Sequence, residues 1–161
     1  MCINEFSLKQ MSELATVCAI GFNGLESGAL LFVSAVSVRT ILKAIKPRDQ
    51  EATSFIKQFF PIWWPFGRDL MMPLGLATTS ANLVLYFLKG GMHNLVCAGL
   101  TGLIIPWTIV MMGEDISSLR SASTTDNDRY SAVTTFCRRH HVRAVLATSA
   151  FVISIAYNLK Q

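Results

Sequence analysis

Four stretches of the chain are apolar for about the roughly 20 residues that one helix needs to cross the hydrocarbon core of a bilayer. No other feature narrows the possible folds as much. The stretches fall at about 15–38, 70–88, 94–113 and 142–159. Each is continuous rather than alternating in polarity, which excludes the short two-sided strands of a membrane barrel and leaves helices as the lipid-compatible structure. Composition agrees: of 161 residues, 52% are hydrophobic and only 15% charged, unlike an ordinary soluble domain. The expected fold is all-α, a single integral-membrane four-helix bundle over residues 1–161.

The N-terminus, MCINEFSLKQ, has neither a basic segment before a small-residue cleavage site nor the Arg- and Ser-rich pattern of a mitochondrial presequence. The first helix is therefore expected to stay as an anchor. Arg39, Lys43, Lys46, Arg48, Lys57 and Arg68 sit in the first connection, and Arg120, Arg129, Arg138, Arg139 and Arg143 in or beside the third. The opposite side has Lys9, Lys89 and Lys160. Because Lys and Arg in short loops are retained in the cytoplasm, both termini are expected on the non-cytoplasmic side. The formal net charge of +4 then follows from topology and from attraction to anionic headgroups, so no nucleic-acid partner is needed. Four cysteines (Cys2, Cys18, Cys97, Cys137) form no CxxC pair and read as small apolar side chains. HEXXH-type ligand patterns are absent, so no metal site is expected. His93 or His140 stays open as an axial haem ligand, and the cofactor is otherwise unknown.

The connections carry their own signals. TILKAIKPRDQEATSFIKQFFPIWWPFGRD begins as a charged helical extension that should break at Pro47. Its second half gathers Phe59, Phe60, Trp63, Trp64 and Phe66 around Pro61 and Pro65. This is either a belt of rings at headgroup level or a lid over a lipid-side cavity. Pro106 should kink the third span, and the polar segment from about Glu114 to Arg139 should be partly helix and partly loop.

A helical period places Asn23, Glu26, Ser27, Ser34 and Ser37 on one face of the first helix, with Gly21, Gly24 and Gly28 nearly opposite. A carboxylic acid at membrane depth is costly and turns inward, so the glycines are left at the perimeter, where they suit a second copy or a partner subunit. Asn82, Thr101 and Ser154 can reach the level of Asn23 and Glu26 and complete a polar layer, which reads either as interhelical hydrogen bonding or as a binding site. On the fourth helix His140, Arg143, Ala147, Ser154 and Asn158 share a face, with His141 rotated away. His140 and Arg143 together can hold an anionic or enolic oxygen, with the imidazole as acid or base. Their other reading is anchoring at the membrane surface with a contact to Glu114 or Asp115.

The order of these features resembles the anthrone oxygenase-like family of small four-helix membrane proteins. The resemblance runs from about Gly21 to Ala156 and rests on GLESGALLFVSAVSV, on FIKQFFPIW followed by MMPLGLA, on IPWTIVMMGEDISSLRS and on the H-x-x-R of HHVRAVL. It implies an oxidoreductase that uses molecular oxygen on a hydrophobic phenolic or quinone-like molecule, as family members convert anthrones to anthraquinones. His140 and Arg143 match the family motif. Asp115 stands where the family has an asparagine, Phe136 where it usually has a tryptophan, and Glu26 is a departure. The candidate site is thus Glu26, His140 and Arg143 for catalysis, with Asn23, Asn82, Thr101 and Ser154 binding the substrate. From the residues alone, a non-enzymatic membrane subunit or a lipid or small-molecule carrier stays open.

Overall fold

The structure, a computed structural model, describes residues 5–44 and 50–158, with side chains described for 7–41 and 53–158. Cys2, Lys46, Arg48, Lys160 and the break expected at Pro47 lie outside the described residues. Helix α1 (Glu5–Phe32) runs through a π-helical turn (Val33–Val38) into α2 (Arg39–Ala44). Then follow α3 (Gln50–Lys89), α4 (Met92–Gly102), α5 (Ile104–Arg120) and α6 (Asp126–Asn158). These make four rods, with α4 and α5 forming the third. The first rod packs on α3 and α6, and the third does the same from the other side. The chain is an all-α four-helix bundle, and no strand occurs among the described residues.

Three rods, Ser7–Ile41, Thr53–Lys89 and Met92–Arg120, are long and apolar enough to cross a membrane. The fourth is not in that set, because the apolar stretch of α6 starts at Val142, follows Arg138, Arg139 and two histidines, and contains Arg143.

Antiparallel rods bring the start of α1 and the end of α6 to one end. There Ala15, Ala19 and Leu85 pack together, and the Asn158 side-chain amide donates to Asn94 Oδ1 at 3.2 Å. The turn at this end uses Gly90 and Gly91 at φ of 72° and 84°, left-handed values that favour glycine. Midway, Pro106 accounts for the break between α4 and α5: it cannot donate to the Gly102 carbonyl four residues back, and its ring crowds that oxygen. Helical bonds resume on either side, Leu103 N–H to Gly99 O and Trp107 N–H to Leu103 O, both at 3.0 Å.

The far end differs most from expectation. The aromatic segment that read as a belt or lid is part of α3, with Pro61, Pro65 and Pro73 inside the helix. Packing against neighbouring helices lets such prolines persist in membrane proteins. Phe60 and Trp64 are buried, and Phe136 of α6 stands edge-on to Phe60, Trp63 and Trp64 at 5.3, 6.5 and 6.0 Å. The polar third connection shrinks to residues 121–125, since α5 continues to Arg120 and α6 starts at Asp126. Thr125 caps α6, its hydroxyl oxygen accepting from the Asp128 N–H at 3.2 Å. Arg129, 1% exposed, closes the turn by donating to the carbonyls of Leu119 (3.0 Å) and Ser121 (2.7 Å).

Candidate functional site

Asn23, Glu26, Asn82, Thr101, Ser154, His140 and Arg143 are all buried, but they do not form one layer. Asn23 donates to Asn82 Oδ1 at 3.1 Å and to the Ala19 carbonyl at 2.7 Å, while Asn82 donates to the Thr78 carbonyl at 2.8 Å. Thr101 meets the Thr79 hydroxyl at 3.1 Å, and Ser27 meets Thr148 at 3.1 Å. These pairs join α1 to α3, α3 to α4 and α1 to α6, and they leave Asn23 Oδ1 and Ser154 Oγ without a hydrogen-bond partner among the described residues. Ser154 also lies in the interior, 0% exposed.

Nearer the far end the bundle opens. A cavity of about 240 Å³ lies between α3 and α5, with α1 and α6 behind it. Its size is just under the roughly 300–1,000 Å³ of common small-molecule sites. Trp63, Trp64 and Met71 form one wall, Ile105 and Thr108 another, and Leu30 and Val33 the back. Met72 and Ile109 stand at the mouth and are exposed, so the opening faces outward between two apolar helices. Asn23, Asn82, Thr101 and Ser154 are not among the lining residues; His140 and Arg143 are.

His140 is 2% exposed and stacks on Phe136 at 6.2 Å. Its Nε2 lies 3.3 Å from the Leu30 carbonyl oxygen. A carbonyl only accepts, so Nε2 carries the proton and Nδ1 keeps the lone pair. Among the described residues that Nδ1 has no hydrogen-bond partner, and neither has Arg143 Nε. The Leu30 carbonyl lies just before the π-helical turn, a feature frequent at functional sites. Arg143 does not pair with Glu114 or Asp115. Asp115 instead accepts from Arg139 at 2.8 Å, and Arg139 also donates to the Met111 carbonyl.

Glu26 lies behind the cavity wall. Its carboxyl is buried near the Thr78 hydroxyl and within reach of the charge of Arg143. Gly75 gives it room: a Cβ there would lie 3.2 Å from Glu26 Oε1 and 3.9 Å from the Ile105 side chain. The glycines of α1 divide in the same way. Gly24 packs on α6, where a Cβ would meet the Phe151 ring at 3.0 Å, whereas Gly21 and Gly28 have nothing within 4 Å.

His93 and His140 are at opposite ends of the bundle, and His93 stacks on Tyr157 at 5.0 Å. No group of three or more His, Cys, Asp or Glu converges among the described residues. Cys97 and Cys137 are buried, and Cys18 is half-buried. The sequence reading set Trp63 and Trp64 beside a lipid-side cavity in one of its two alternatives, and missed Met71 and Ile105 as walls. The one available signal was Gly67 among large side chains, since its open side widens the cavity.

No curated protein and no solved structure matches the chain. A family model does: it covers residues 60–153, which carry Trp63, Trp64, His140 and Arg143 and end before the close of α6. By that match over more than half its length, the chain belongs to the anthrone oxygenase family.

Proposed function

We propose that the protein is a membrane-embedded oxygenase that takes a hydrophobic anthrone-like or other phenolic molecule from the bilayer into the cavity between α3 and α5. The observation that supports this reading is the pair of buried, unpartnered groups at the closed end of an apolar cavity, His140 Nδ1 and Arg143 Nε. The lone pair on Nδ1 takes a proton from the ring methylene, and the electron pair moves onto the ring oxygen, which Arg143 holds as an oxyanion. The carbanionic carbon reduces molecular oxygen, forming a C–O bond, and the proton returns to give a hydroperoxide. Loss of the second C–H proton with cleavage of the O–O bond releases water and leaves a carbonyl. Methylene plus oxygen thus becomes quinone carbonyl plus water. In this reading α6 is the fourth membrane pass, and the arginine-rich end faces the cytoplasm. Gly21 and Gly28, open on the outer face of α1, suit contact with another helix.

The test is conversion of anthrone under ¹⁸O₂ by the full chain in lipid nanodiscs, with the product read by mass spectrometry. The expected product is anthraquinone carrying one ¹⁸O atom, formed on the order of 10² to 10⁴ times more slowly by His140→Ala. A rate no higher than that of empty nanodiscs overturns the oxygenase reading.

A further inference from the structure

A second concavity, a groove of about 290 Å³, runs between α1 and α6 on the side opposite the approach of α3 to α5. Leu31 and Val145 stand exposed at its rim. Its floor is polar. Ser34 is 7% exposed, and its hydroxyl has no hydrogen-bond partner among the described residues. A helical hydroxyl usually donates to the carbonyl four residues back, as Thr16, Thr78, Thr108 and Thr134 do at 2.8, 2.8, 2.7 and 2.9 Å. For Ser34 that acceptor is the Leu30 carbonyl, which receives His140 Nε2 instead. Ser149, half-buried in the same groove, makes no hydrogen bond among the described residues either. On a face turned to lipid no water can satisfy such groups, so they stay costly unless a ligand supplies oxygen acceptors.

The charges around the groove have one sign. No acidic side chain lines it, and exposed His141 does. Arg138, one turn ahead of His141 on the same face of α6, is exposed, as is Arg39 just after the π-helical turn that holds Ser34. The two ion pairs among the described residues, Arg68 with Asp69 and Arg139 with Asp115, involve neither. The contacts of Leu30 with His140 and of Ser27 with Thr148 set the relative height of α1 and α6, which puts Ser34 level with the Arg138–His141 end. Ser149 lies a little over two turns deeper than His141, about 12 Å along the axis.

We propose that this groove binds an anionic glycerophospholipid from the surrounding leaflet. The phosphate sits at the Arg138 and His141 end, where Ser34 donates to it; an ester carbonyl deeper in accepts from Ser149, and an acyl chain passes between Leu31 and Val145. Basic pockets between membrane helices recruit anionic headgroups in this way. The groove and the cavity share no lining residue, so this proposal and the oxygenase reading fail independently.

The test is native mass spectrometry of the full chain released from mixed micelles holding equal mole fractions of phosphatidylglycerol and phosphatidylcholine with the same acyl chains. The wild type should retain one phosphatidylglycerol, roughly fivefold or more over phosphatidylcholine, since one arginine near the surface contributes about that factor. Arg138→Gln should remove most of that preference. Arg120→Gln, which removes the same charge from the exposed end of α5, should leave it. Ser149→Leu should fill the groove and lower retention of both lipids. For the cavity the probe is 6-bromo-2-naphthol, added to the full chain in nanodiscs and corrected for partition into empty nanodiscs; its bromine quenches the fluorescence of Trp63 and Trp64, which line the cavity. Ser149→Leu should leave that quenching unchanged, which separates a filled groove from a misfolded chain. Equal retention of the two lipids by the wild type overturns the proposal. So does an equal loss of preference in Arg138→Gln and Arg120→Gln, the mark of surface charge without a site. A lipid-free dimer that Ser149→Leu dissociates gives the groove to a second copy and also overturns it.

Discussion

Replacing Phe136 by alanine tests whether the aromatic cluster is structural packing or a loose belt. Phe136 is 2% exposed. It meets Phe60, Trp63 and Trp64 at interplanar angles of 89°, 81° and 84°. Edge-to-face pairs contribute about 0.5–1.5 kcal/mol each beyond their buried area. Phe-to-Ala truncations in packed interiors cost about 3–5 kcal/mol. Both scales put the loss near 3 kcal/mol, a shift of more than about a hundredfold in the unfolding equilibrium. Phe136→Leu, which keeps much of the volume and loses the ring geometry, should lose about half as much. The assay is reversible unfolding in mixed micelles, followed by far-UV circular dichroism and by fluorescence of the tryptophans beside Phe136. Because Phe136 also supports His140 by stacking at 6.2 Å, the alanine variant should bind 6-bromo-2-naphthol more weakly. A loss below about 1 kcal/mol would refute the packing argument and return the aromatic segment to the role of surface belt.

Other substitutions separate the polar pairs from the cavity. Asn23→Ala and Asn82→Ala should give a coupling of about 0.6 kcal/mol in a double-mutant unfolding cycle and leave probe binding intact; loss of binding would restore these residues to the ligand site. Gly24→Val should destabilise the bundle by meeting Phe151, whereas Gly21→Val and Gly28→Val should leave monomer stability unchanged, as read by the same unfolding curves. If cross-linking shows a dimer that Gly28→Val abolishes, the outer face of α1 is its interface. Arg139→Gln should cost about 1 kcal/mol through loss of the pair with Asp115, and less at high salt. Ile109→Trp at the mouth should slow probe capture without changing the unfolding midpoint, measured by stopped-flow quenching.

The inward faces were legible in the sequence because a helical period fixes which side chains share a side. Asn23, Glu26, Ser27, His140, Arg143, Ser154 and Asn158 are all buried, as that period requires. Rod lengths were not legible in the same way. Hydropathy marks where a helix lies in apolar surroundings, not where its hydrogen bonds stop, so the segment from Glu114 to Arg139 read as partly helix and partly loop without showing that the loop is only 121–125. Pro61 and Pro65 lay in the connection before the second span on the sequence reading, and packing of α3 holds them within a helix. Nor could the sequence show that Asn23 bonds to Asn82 while His140 and Arg143 line a cavity, because that depends on the relative height of different rods. The wall opposite Trp63 and Trp64 was hidden as well, since Ile105 and Thr108 face them only through the approach of α3 to α5.

The outward-facing mouth of the cavity changes what concentration means for this protein. Under the proposed function, a ligand that arrives past Met72 and Ile109 would leave lipid, not water, so its occupancy would follow its mole fraction in the leaflet. Hydrophobic molecules accumulate there, and a site with weak intrinsic affinity can be saturated while the surrounding aqueous concentration stays negligible. Dissociation constants measured in detergent will therefore scale with the amount of detergent, and only values expressed per lipid will be comparable between preparations.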